Sequence, residues 1–129
     1  MLSFQRNKWW LASLCVVPTL LSAVALYALT RNPALVDHET ELVGWFTTFA
    51  GPVTALIGTK AFGPRAPEWV SRAGFTFVCA AVAVHMGLVL ATVLRIPQLG
   101  FSLNALRSYN LVLAVTQTAV VTAMGFAFP

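Results

Sequence analysis

Long apolar runs alternate with short polar breaks along the whole chain, and the charges lie almost entirely in the breaks. Trp9 to Leu29 is the first run; it opens with the pair Trp9 and Trp10 and stops at Arg31, Asn32 and Pro33. Proline cannot continue a helix and pushes the residue before it out of the helical region. After the acidic stretch Asp37 to Glu41 comes Leu42 to Thr59, the shortest and least apolar run, interrupted by Gly51 and Pro52 and closed by Lys60. A segment rich in Pro, Gly and Arg, Lys60 to Arg72, leads to the third run, Ala73 to Leu94, which Arg95 and Pro97 end. A polar connection from Arg95 to Ser108, with room for a short interfacial helix, precedes the fourth run, Tyr109 to Phe126.

Each run approaches the ~20 apolar residues that a helix needs to cross a hydrocarbon core. Composition agrees: 58% of the residues are hydrophobic and only 9% charged, against about 25% charged in soluble domains. The pattern predicts an all-α integral membrane protein, residues 1–129 forming a single domain of four transmembrane helices in an antiparallel bundle. The first run has a basic lead-in and an Ala-rich end, as a signal peptide would. It is longer than a typical signal core and is read as a helix.

Positive charge sets the orientation. With the N-terminus in the cytoplasm, Arg6, Lys8, Lys60, Arg65 and Arg72 lie inside and Arg31, Arg95 and Arg107 outside. Both termini and the basic loop then share the cytoplasmic face, where those five residues are expected to contact a soluble partner or anionic lipid. The absence of a lipidation motif or organelle address points to a bacterial inner membrane, with a multi-pass topology.

In lipid, helices associate through close backbone approach, so small residues at four-residue spacing mark contact faces. Such stripes run through Thr47, Gly51, Ala55 and Thr59, through Cys79, Ala83, Gly87 and Ala91, and through Ala114, Thr118 and Thr122. So many on so short a chain predict a homo-oligomer. Pro52 predicts a kink near Thr48, with a freed carbonyl met by Thr47, Thr48 or Thr54.

Chemistry has few candidates. His85 lies in the middle of the third run, on the side opposite Ala83 and Gly87. An intramembrane imidazole can ligate haem, bind a quinone or relay protons, but each role calls for a second polar group, and no span holds a carboxylate. The alternative is interhelical hydrogen bonding to Thr116, Thr76, a backbone carbonyl or Gln117, the amide at matching depth in the fourth run. His85 and Gln117 are the expected intramembrane polar pair. His38 sits among Asp37, Glu39 and Glu41 in what reads as a solvated acidic loop rather than a metal site. Cys15 and Cys79 are far apart in sequence and read as small packing residues. No nucleotide-binding, metalloprotease or nucleophile-elbow motif is present.

These observations predict a non-enzymatic membrane subunit, an anchor, scaffold or sensor that oligomerises and holds a soluble partner at the cytoplasmic face. Neither a cofactor nor nucleic-acid binding is expected. The alternatives are a small oligomeric channel or transporter and, after it, a haem- or quinone-binding anchor using His85.

Overall fold

The computed structural model describes residues 2–33, 35–53, 69–100, 104 and 107–127. The chain is predominantly helical. A two-residue strand β1 (Leu2–Ser3) leads into α1 (Phe4–Thr30), and a 3₁₀ turn at Val36–His38 leads into α2 (Glu39–Phe49). A second short strand, β2 (Trp69–Val70), precedes α3 (Arg72–Arg95), and α4 spans Asn110–Ala127. Three helical segments are long and apolar enough to cross a membrane: Arg6–Thr30, Arg72–Arg95 and Asn110–Ala127.

The second apolar run departs from expectation. Its helix starts before Leu42, at Glu39, and stops at Phe49; Ala50 breaks it, and helical turn resumes at Gly51 to Val53. The rest of that run, with Ala55, lies outside the described residues, as do Lys60 and Arg65 of the basic loop. The break has a chemical cause. Pro52 has no N–H for the Thr48 carbonyl, and its ring cannot share space with the preceding turn.

Antiparallel pairing of β1 with β2, Leu2 opposite Val70 and Ser3 opposite Trp69, brings the starts of α1 and α3 together, so these two helices run in the same direction. Val120, Ala123 and Met124 of α4 pack level with Val78 and Val82, whereas Leu113 packs with Val89 and Val93. That order makes α4 antiparallel to α3. The α3 helix is central, flanked by α1 and α4.

The packing faces follow a seven-residue rhythm. Phe4, Leu11, Cys15, Ser22 and Leu26 are the buried residues of α1. On α3 the seam runs through Phe75, Val78, Val82, His85, Val89 and Thr92, widened by Met86 and Val93, and continues to Ile96 just past its end. Alternating steps of three and four keep one stripe facing a neighbour as helices supercoil gently. Ser22 Oγ is fully buried and has no hydrogen-bond partner among the described residues.

The two ends of the bundle carry aromatic and cationic belts. Trp9, Trp10 and Trp69 are exposed at the end where α1 and α3 begin, with Arg6, Lys8 and Arg72. At the other end the Arg31 guanidinium lies 5.0 Å from the Tyr27 ring and that of Arg95 6.0 Å from the Tyr109 ring. Eighteen residue steps separate Trp9 from Tyr27, about 27 Å along a helix, close to the ~30 Å of a hydrocarbon core.

Met86→Ala, which opens a cavity in the central seam, should lower unfolding free energy in micelles by about 2 kcal/mol or more. Val84→Ala, on the exposed face of the same helix, should change it by less than about 0.5 kcal/mol.

Candidate functional site

Of the backbone groups released by the break in α2, three are met from other helices. The Thr48 carbonyl, deprived of a donor by Pro52, accepts from Gln117 Nε2 at 2.8 Å. The Gly51 N–H donates to Gln117 Oε1 at 3.2 Å. Because the Val53 N–H turns back to Ala50 (3.2 Å), the Phe49 carbonyl is also freed, and His85 Nε2 reaches it at 2.9 Å. One primary amide thus replaces both halves of a missing helical turn, and one imidazole takes the next carbonyl.

Close approach at this junction depends on Gly51. A Cβ there would stand 2.6 Å from Gln117 Cδ, well inside van der Waals contact. Glycine lets the amide lie flat against the backbone of the break. Pro52 is buried beside it.

The tautomer of His85 follows from its partners. A carbonyl only accepts, so Nε2 carries the hydrogen and Nδ1 is the acceptor. Nδ1 lies 2.6 Å from Thr116 Oγ1, so the Thr116 hydroxyl donates to it. That oxygen also stands 3.0 Å from its own Leu113 carbonyl, a second acceptor for the same hydrogen. His85 is fully buried, as a neutral imidazole with both nitrogens engaged. An iron at Nε2 would have to displace the Phe49 carbonyl.

His85 and Gln117 therefore both act at the break, Gln117 on the Thr48 carbonyl and His85 on the adjacent Phe49 carbonyl. The freed carbonyl is not satisfied locally: Thr47 and Thr48 hydroxyls donate one turn back, to Val43 (2.9 Å) and Gly44 (2.7 Å), and Thr54 lies outside the described residues. Thr76, the other hydroxyl considered for His85, is exposed near the start of α3.

The remaining predicted residues are placed as follows. Ala83 and Gly87 are exposed, and nothing stands within 4 Å of a Cβ built on Gly87. Thr118, with Ala114 and Thr122, is exposed on α4. These residues face away from the contacts within the chain, whereas Cys79, at the start of the α3 stripe, packs against the core. Arg6, Lys8 and Arg72 gather at the β1–β2 end. His38 Nδ1 lies 3.5 Å from Glu41, and no group of three or more His, Cys, Asp or Glu is poised to hold a metal among the described residues.

One feature of the outer part of α2 escaped the sequence pattern. Trp45 Nε1 donates to Asn110 Oδ1 at 2.9 Å, tying α2 to the start of α4. Beside this bond lies a cleft of about 330 Å³ lined by Glu41, Gly44, Trp45, Thr48, Phe49, Arg107 and Asn110. Arg107 and Glu41 face each other there at 3.7 Å. The signal in the sequence was the indole of Trp45, a donor that needs a partner when buried.

Gln117→Leu strands the Thr48 carbonyl and Gly51 N–H and should lower stability by about 1–3 kcal/mol. Pro52→Ala restores an N–H for Thr48, so the same substitution should cost measurably less in that background. A double-mutant cycle of unfolding in micelles reads the difference. His85→Gln, which can still donate to Phe49, should be milder than His85→Leu.

Comparison with known proteins returns no matching family model, no matching curated protein and no matching solved structure.

Proposed function

We propose that the chain is a non-enzymatic subunit of the bacterial inner membrane, an anchor or scaffold that self-associates laterally and holds a soluble protein at its cytoplasmic face. In this reading the chain forms a four-helix antiparallel bundle with both termini in the cytoplasm.

The observation that carries the proposal is the outward position of the small-residue stripes. Ala83, Gly87 and Ala91 on α3 and Ala114, Thr118 and Thr122 on α4 are all exposed, and open space lies over Gly87. Small side chains facing lipid leave two copies free to bring their backbones close, which is how helices associate where no hydrophobic drive exists. The intramembrane polar groups supply the complementary support. His85 and Gln117 are committed to the backbone of α2, which is the work of interhelical glue. The docking face is the end bearing Arg6, Lys8 and Arg72, joined in sequence by Lys60 and Arg65; the same cations suit anionic lipid headgroups.

A channel or transporter assembled from several copies ranks second. Exposed Thr47, Thr48 and Thr118 would line its path, but their hydroxyls are bonded to carbonyls of their own helices, as threonines in lipid-facing helices are. A haem or quinone anchor ranks third, because both nitrogens of His85 are engaged.

Native mass spectrometry of the complex drawn from its own membrane in mild detergent tests the proposal. Several copies with a soluble protein in fixed ratio support it, a homo-oligomer alone favours the channel, and a bare monomer contradicts both. Gly87→Leu should reduce the oligomer while helicity persists; an unchanged copy number would remove the stripe from the interface.

A further inference from the structure

We propose that the cleft between α2 and the start of α4 binds a zwitterionic aminophospholipid. The ammonium of its headgroup rests on Glu41, its phosphate on Arg107, and the first part of its chains lies against Trp45 and Phe49. This goes beyond the scaffold role and rests only on the membrane placement of the helices.

The charges are arranged for such a ligand. Arg107 Nη2 and Glu41 Oε2 are 3.7 Å apart, and His38 Nδ1 stands 3.5 Å from the other Glu41 oxygen; both contacts are longer than a good hydrogen bond, so donors and acceptors are left unspent. The Arg107 and Glu41 side chains are 65% and 52% exposed, free to turn toward a third group. A simple anion would be opposed by Glu41 and a simple cation by Arg107. A molecule carrying both charges satisfies both, and the primary ammonium and phosphate of a phosphoethanolamine headgroup are separated by only two carbons.

Polarity also changes with depth as an amphiphile requires. From Glu41 to Phe49 the cleft descends eight residues of α2, about 12 Å. Its mouth lies at the end of the bundle marked by Arg95 and Tyr109, the level of headgroups. Its inner end has the ring of Phe49 and the hydroxyl of Thr48, which is bonded to the Gly44 carbonyl. Gly44 keeps the wall open, since a Cβ built on it would meet nothing within 4 Å. A volume near 330 Å³ holds a headgroup and glycerol, with the chains continuing into the bilayer.

Headgroup chemistry then sets specificity. A primary ammonium donates hydrogen bonds to the Glu41 carboxylate, which a quaternary choline cannot, and a glycerol headgroup brings no cation at all.

The test is native mass spectrometry of the full chain, released from nanodiscs of equal parts phosphatidylethanolamine, phosphatidylcholine and phosphatidylglycerol. One phosphatidylethanolamine per chain is expected to be retained, preferred about tenfold over either competitor, the factor a charge-assisted hydrogen bond supplies. Glu41→Gln should erase the preference over phosphatidylcholine, and Arg107→Gln should lower retention of all three. Gly44→Leu fills the cleft from an open position and should abolish selective retention with helicity unchanged by circular dichroism. Equal retention of the three lipids would overturn the proposal, as would a preference that survives Gly44→Leu. So would full displacement by glycerophosphoethanolamine, which has the headgroup and no chains. Copy number in the same spectra reports on self-association separately, so the two proposals fail independently.

Discussion

A backbone carbonyl inside a bilayer has no water to turn to, and leaving it unmet costs several kcal/mol. Pro52 creates that problem at Thr48, in the middle of an apolar run, and the break that follows extends it to Phe49 and Gly51. The arrangement of the surrounding helices follows from how these groups are met. Gln117 must lie level with the break to serve Thr48 and Gly51 together, which sets the register of α4 against α2. His85 must present Nε2 to Phe49, which sets the rotation of α3. Thr116, next to Gln117, then faces Nδ1 of His85. Two adjacent residues of one helix thus address two different neighbours.

Hydrogen bonds between membrane helices contribute individually only about 0.6–2 kcal/mol, less than a buried methyl-rich side chain contributes by packing. Their value here lies in specificity. The seams of α1 and α3 are built mostly from Val, Leu, Met and Phe, which would tolerate a slip along the heptad. A slip that moved Gln117 by one turn would strand two backbone groups at once, the Thr48 carbonyl and the Gly51 N–H, and would take Thr116 away from His85. Gly51 reinforces this choice, because only a residue without Cβ permits the amide to approach so closely.

Much of this was legible in the residues. Three of the four apolar runs became helices within a few residues of their expected limits, because the polar breaks between runs, with their charges and prolines, end a hydrophobic helix, although Pro18 is carried inside α1. Pro52 announced the break, and His85 and Gln117 announced that something polar happens at mid-depth. What could not be read was the identity of the partners. Pro52 marks the Thr48 carbonyl as one that loses its donor, but every residue carries a carbonyl, and no side-chain pattern says that Gln117 meets this one or that Phe49 loses its donor as well. The pairing of Leu2–Ser3 with Trp69–Val70 was hidden for a similar reason: two-residue strands carry no periodicity. The small-residue stripes were visible as stripes, but spacing alone does not say whether a face meets its own chain or looks outward. The cleft at Glu41 and Arg107 joins residues 66 positions apart in sequence, and only the fold brings them together.

Whether α3 and α4 hold the broken helix through its backbone is decided by solid-state nitrogen and carbon NMR of His85 in bilayers, with the other histidine, His38, replaced by glutamine for assignment. A single neutral tautomer is expected, with hydrogen on Nε2, an acceptor-type Nδ1, and a dipolar contact between Nε2 and a carbonyl carbon labelled at Phe49. Hydrogen on Nδ1, or no contact between the ring and the Phe49 carbonyl, would contradict it.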